Sequence, residues 1–316
     1  MFIFKLCALF SLIFAVWAKL DHPAINPPFP GGMSALGQGL LDHASPPPSR
    51  SEPWPQGWIP QDVKDRAVAE NLSATDIETT NVYYADCDTP WIISRHKNAA
   101  LNFAQMVQYF GIIPVRMRQT VRHILAVPDN GTSAYYLAGN IVLKGTVGPT
   151  AVVHETGHGV DSLAFDASLG KPFSSGKTWL DAYNADTAVP GDYAQTNQQE
   201  NFAENTVVAL FDYTWPSQLP KIQPSWKTIQ HQYTTIQQQL GENIHRDGKC
   251  TARLPNSQSV PIGNSRKTRR ETLGSRPDVS LKGNVSVFDT SFLPTTASVA
   301  SFDAYGELVG TTSVSL

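Results

Sequence analysis

Val153-His154-Glu155-Thr156-Gly157-His158 contains the pattern HExxH. On a helix, residues four apart stand one above the other, so His154 and His158 can offer two imidazole nitrogens to one metal ion. Glu155 falls beside them, placed to handle a proton rather than to bind the ion. Gly148-Pro149-Thr150 precedes the motif, and Pro149 suits the first turn of a helix. The continuation HETGHGVDSLA puts Asp161 on the histidine face, where its acid would either hydrogen-bond a ligand imidazole or make a structural ion pair.

A second helix completes the pattern. Glu200, Ala203, Glu204, Val207, Val208 and Phe211 fall at offsets 0, 3, 4, 7, 8 and 11, one continuous helical stripe. The stripe is apolar at its far end and carboxylate at its near end. Taken alone, its two glutamates read first as the place where the stripe runs out into solvent. Beside an HExxH helix, an inward-facing carboxylate needs a metal or a hydrogen-bond partner. Glu200 is therefore expected as a third ligand, with Glu204, one turn further on, supporting the site from behind. The expected ion is a single zinc, held by His154, His158 and Glu200.

Outward from this centre, Val82-Tyr83-Tyr84, Trp91-Ile92-Ile93 and Val121–Val127 read as strands, and Tyr135–Leu143 as another, interrupted at Gly139-Asn140 by a tight turn or a bulge. Lys97–Phe110, Lys177–Asp186 and Pro224–Leu240 read as helices. The fold class expected is α+β, a small mixed or antiparallel sheet packed on the HExxH helix and the downstream Glu-bearing helix. This domain is expected over residues 61–250. Ahead of it, residues 19–60 hold ten of the chain's 23 prolines and read as an extended arm or propeptide-like leader without helix or sheet. Behind it, residues 251–316 are rich in Ser and Thr and read as a weakly ordered tail, with Arg269-Arg270 a processing site or a solvated charge run.

Residues 1–18, MFIFKLCALFSLIFAVWA, have the form of a secretory signal: one Lys, a short apolar run, and Val16 and Ala18 at a small-residue cleavage site. The apolar run is too short to span a bilayer comfortably. The chain is thus expected outside the cell, with no membrane contact once the signal is removed. Loss of Cys7 would leave Cys87 and Cys250, which in an oxidising compartment invite one disulfide, although free or intermolecular thiols fit the count as well. Sequons at Asn71, Asn130 and Asn284 agree with secretion. With 24 Lys and Arg against 27 Asp and Glu, the chain has no basic excess for a nucleic-acid partner. His22, His43, His96, His123, His231 and His245 have no ligand-like partner four residues on and read as surface or core residues.

Two histidines from one helix and a glutamate from a later one resemble the gluzincin class. More closely, HETGHGVDSLA followed by the Tyr193–Glu204 stretch resembles the catalytic domain of the anthrax lethal factor family of zinc peptidases. Tyr193 precedes Glu200 by seven residues, as that family's active-site tyrosine precedes its third ligand, and Phe202-Ala203-Glu204 matches its FAE signature. Residues 55–245 are also similar to the fungal conidiation-specific secreted proteins, which carry the same HETGH and ENFAEN segments. These resemblances imply a zincin-like fold and a zinc metalloendopeptidase acting on a peptide or protein substrate. Glu155 would be its base and Tyr193 its oxyanion donor, with the strand near Tyr135–Leu143 pairing to an extended substrate. A non-catalytic secreted zinc-binding protein of the conidiation type, or a non-peptide zinc amidase, is the alternative. Neither the substrate nor the oligomeric state is legible in the residues.

Overall fold

The computed structural model describes residues 19–263, 274–302 and 308–316. In chain order the helices are α1 (Ala35–His43), α2 (Gln61–Ala69), α3 (Phe103–Gly111), α4 (Val115–Arg118), α5 (Pro149–Leu163), α6 (Lys177–Ala185), α7 (Gln198–Thr214), α8 (Leu219–Ile222) and α9 (Gln230–Leu240). The strands are β1 (Ser49–Pro53), β2 (Trp58–Pro60), β3 (Ile77–Tyr84), β4 (Trp91–His96), β5 (His123–Val127), β6 (Thr132–Leu137), β7 (Asn140–Gly145), β8 (Ala252–Arg253), β9 (Ser259–Pro261), β10 (Ser286–Val287), β11 (Thr296–Phe302) and β12 (Leu308–Ser315). The architecture is α+β, and one sheet of mainly antiparallel pairing runs in the order β1-β3-β4-β5-β7-β6-β11-β12.

At the centre of that sheet, β4, β5 and β7 are parallel neighbours. They are buried along nearly their whole length, as parallel strands covered on both faces must be. Alternation sorts their side chains between two cores. Ile124 and Ala126 of β5, with Ile141 and Leu143 of β7, join the larger core beneath α5 and α7. Leu125, Val127 and Val142 turn the other way, toward Val63 and Ala67 of α2. The interruption expected near Gly139 is a two-residue turn. Ala138 and Gly139 both have positive φ, 50° and 87°, the twist that joins β6 to β7 without splaying them.

Two helix boundaries differ from expectation. The Lys97–Phe110 helix begins at Phe103, because Asn102 and Gln105 form a reciprocal capping box that starts the helix there. In the Pro224–Leu240 stretch the α-helix begins only at Gln230. The Asp186 carboxylate, from another element, accepts the backbone N–H groups of His231 at 3.0 Å and Gln232 at 2.8 Å.

The expectation of an arm without helix or sheet is corrected. Its prolines cluster at residues 23–30 and 46–60, and the proline-free stretch between them forms α1. Leu36 and Leu40, one turn apart, are fully buried, and Ile25 and Phe29 also enter the core. The expectation of a weakly ordered tail is corrected as well: β9 pairs with β2, β10 with β8, and β11 with β6. Arg253 is fully buried, with its guanidinium 3.9 Å from the ring centroid of Trp91 and a donated bond to the Thr89 carbonyl at 3.0 Å. The expected signal and the Arg266–Arg270 cluster lie outside the described residues.

Cys87 and Cys250 form a disulfide with a Cα–Cα separation of 5.2 Å, and 163 residues separate them in sequence. Closing so long a loop restricts the unfolded chain, so the Cys87→Ser/Cys250→Ser variant is expected to lose roughly 3 to 5 kcal/mol in denaturant unfolding. A second prediction concerns acid. Burial holds His123 down to about 3 despite the opposing charge of Asp62, and its Nε2 accepts the Ser257 N–H at 3.1 Å. The unfolded chain takes up a proton near the ordinary value of 6.5, while the folded chain does not until about pH 3. This contribution to stability is present above pH 6.5 and is lost as pH falls from there toward 3. Unfolding midpoints followed across that window should fall less steeply for His123→Asn than for the natural chain.

Candidate metal centre

Pro149 opens α5 and Gly148 caps it, which aligns His154 and His158 on the face turned to α7. Asn197 caps α7, its side chain accepting the N–H groups of Gln199 and Glu200, each at 2.9 Å. Glu200 thus sits in the first turn, where the helix dipole favours a carboxylate. The two helices meet at Gly157. A Cβ there would stand 3.1 Å from Ala203 Cα and 3.2 Å from Thr206 Cβ, so only glycine permits this approach without a shift.

The consequence is a three-donor set. Glu200 Oε2 lies 3.1 Å from His154 Nε2 and 3.3 Å from His158 Nε2. All three donor atoms lie within 4.8 Å of one another and could hold a metal ion. Zinc ligands at about 2.0–2.1 Å in a tetrahedron stand roughly 3.3 Å apart, so the donors fit that ion in kind and spacing. Their charges are mutually adapted. Burial opposes ionisation of Glu200, yet the two histidines outweigh it and hold the carboxyl down to about 2. Burial likewise opposes the charged form of His158, and the charge and hydrogen bond of Glu200 lift it to about 9.

Glu155 is buried beside the set. Burial pushes its carboxyl up, His154 and His158 pull it down, and the backbone N–H of Tyr136 in β6 offers it a hydrogen bond. The ring of Tyr193 stacks on His154 with centroids 5.7 Å apart. Burial, then the charges of Glu200 and Glu155, push its hydroxyl well above the ordinary value, and it hydrogen-bonds Glu200. All five expected central residues are therefore brought together.

The two supporting acids differ. Asp161 accepts both the N–H and the hydroxyl of Ser174, each at 2.7 Å, so it anchors the Phe173–Ser175 turn to α5 rather than gripping an imidazole. Burial pushes it up to about 6 against those bonds. Glu204 is buried behind the set and pushed up to about 7, first by burial. Its carboxylate receives the Ala194 N–H, and Gly191 packs against it so closely that a Cβ would lie 2.9 Å from Oε2. The sequons Asn71, Asn130 and Asn284 are exposed. None of the other histidines joins a metal-competent cluster among the described residues.

Sequence reasoning overlooked Asn197, although an Asn three residues before Glu200 is a recognisable cap signal. It also overlooked Ser174, for which no local signal exists. The strand edge expected to receive a substrate is not open along its whole length. β11 pairs with β6 at Ser301–Ser133 and Phe302–Thr132, and the Ala138 N–H donates to the Pro294 carbonyl at 3.0 Å.

Gly157→Ala offers a test of the helix contact. Alanine gains about 1 kcal/mol of helix propensity but must press α7 away from α5. The affinity of the donor set for an added divalent metal ion, read by competition with a chromophoric chelator, is expected to fall roughly tenfold. Unchanged affinity would show that the helices have slack.

Comparison with known proteins places this chain in a family. "Conidiation-specific protein 13" of Neurospora crassa is 29% identical over 187 residues, which cover 58% of this chain and 55% of that protein. The chain therefore spans about half the length of this curated relative. The family model described as "Conidiation-specific protein Con-13" matches residues 31–286, a span that contains every donor of the centre and most of the sheet beneath it. The chain belongs to the conidiation-specific protein Con-13 family.

Proposed function

We propose that this Con-13 family member is a secreted zinc-dependent peptidase with a zincin-like catalytic arrangement. What carries the reading is the company of the donor set. His154, His158 and Glu200 leave a tetrahedral ion one position short, and Glu155 and Tyr193 flank them. A structural ion usually takes four protein ligands and has no use for a base or a hydroxyl donor. Zinc bound there would supply Lewis acidity and make water a nucleophile near neutral pH. Glu155, about 100° around the helix from His154, takes the proton of the attacking water and returns it to the leaving nitrogen. Tyr193 turns its O–H from Glu200 to the developing oxyanion. The Cys87–Cys250 disulfide is compatible with an oxidising, extracellular setting.

A second reading has its own support. The family and its relative are described as conidiation-specific proteins, and β11 lies against the edge of β6 that a peptide would use. On this reading the chain is a non-catalytic secreted zinc-binding protein. A non-peptide amidase would employ the same residues on another substrate.

Reconstituted protein is expected to hold about one zinc and to cleave peptides, with cleavage sites identified by mass spectrometry of a digested proteome. Glu155→Gln should keep the metal and lose cleavage. Tyr193→Phe should keep the metal and lose roughly a hundredfold in kcat. Zinc without hydrolysis across a diverse peptide library would favour the non-catalytic reading, and failure to bind zinc would end both.

A further inference from the structure

Tyr193 does not belong to α7. It sits in the connection between α6 and α7, residues 186–197, whose one helical element is the short 3-10 turn Ala194–Thr196. Such a segment has no ladder of its own to fix a side chain, so its support must come from elsewhere. On the inner side Glu204 takes the Ala194 N–H and packs against Gly191. On the outer side lies a segment from the far end of the sequence.

The Val189 N–H donates to the Pro23 carbonyl at 2.9 Å, and the Ile25 N–H donates back to the Val189 carbonyl at 2.8 Å, making a parallel bridge between Ala24 and Val189. Further along, the Leu20 N–H donates to the Gln195 carbonyl at 2.8 Å, and Gln195 Nε2 donates to the His22 carbonyl at 3.0 Å. The connection is therefore clamped on both sides of Tyr193. The strap is itself anchored. Ile25 and Phe29 are each 3% exposed. The His22 ring stacks on Tyr183 at 4.1 Å, and Gln223 Nε2 donates to the Pro27 carbonyl at 2.8 Å.

We infer that residues 20–27 are a strap that positions Tyr193 over the metal centre, with Gln195 and Ile25 as its positioning residues. The inference rests on the catalytic role proposed for Tyr193. Displacement of a reacting group by about 1 Å can cost roughly a hundredfold in rate. The Thr228 carbonyl accepts the Thr187 and Ala188 N–H groups at the start of the connection, and the strap holds it nearer Tyr193, at Val189 and Gln195.

The test uses full-length, zinc-loaded protein carrying Gln195→Ala or Ile25→Ala, each alone and combined with Tyr193→Phe. Zinc stoichiometry should be unchanged, because no strap residue touches the donors. In the natural background kcat should fall roughly tenfold with KM little altered, and in the Tyr193→Phe background neither substitution should cost more than about twofold. Amide hydrogen exchange over residues 187–196 should quicken in Ile25→Ala while that of α5 does not. An equal loss of kcat in both backgrounds would overturn the inference, since the strap would then act on the fold at large. Unchanged exchange in the connection would overturn it independently of any activity. Wild-type protein that binds zinc and cleaves nothing would instead overturn the peptidase reading, while the exchange measurement still decides whether the strap holds the connection.

Discussion

The approach of α5 to α7 at Gly157 governs the geometry of the centre. Ala203 Cα and Thr206 would stand 3.1–3.3 Å from any Cβ placed there. This spacing lets a carboxylate from one helix reach two imidazoles on the other at 3.1 and 3.3 Å. The same closeness is supported from outside. α1 packs Gly37 against Pro149 at the start of α5 and Gly39 against Phe211 of α7, so neither helix can retreat easily. The proline-rich arm thus contributes directly to the helix pair.

Bringing these groups out of water would be costly if they were unpaired. Glu200, His154 and His158 compensate one another, and Asp161 is satisfied by Ser174. Glu204 is the exception. Its Oε2 finds no hydrogen-bond partner among the described residues, and burial raises its pKa. A carboxyl so placed resists becoming a second anion beside Glu200, which suits a supporting acid better than a ligand.

Segments from early and late in the chain both brace elements of this centre. Residues 20–27 brace the connection that carries Tyr193, and β11 lies against β6, whose Tyr136 N–H reaches Glu155. Both ends have low-complexity compositions, rich in Pro on one side and in Ser and Thr on the other, which is why they read as unstructured. Burial of a few residues, such as Ile25, Leu40, Leu254 and Val299, overrides that composition. Local propensity is a weak signal wherever a large core is available to receive apolar side chains.

Much of the centre was legible because helical spacing is a covalent property of the sequence. Residues at i and i+4 share a face in any helix, so His154 and His158 pair without knowledge of the fold, and the stripe beginning at Glu200 points inward for the same reason. Strands β3 to β7 were legible from β-branched and aromatic runs, and the turn at Ala138-Gly139 from its glycine, whereas β1, β2 and β8 to β12 were not. The two remaining features depend on contacts between distant residues. Whether Asp161 holds an imidazole or a turn depended on where Ser174 arrived, and whether β6 stayed an open edge depended on where β11 docked. Only packing in three dimensions decides such choices, because hydrogen-bond partners brought together from far along the chain leave no periodic trace in the sequence.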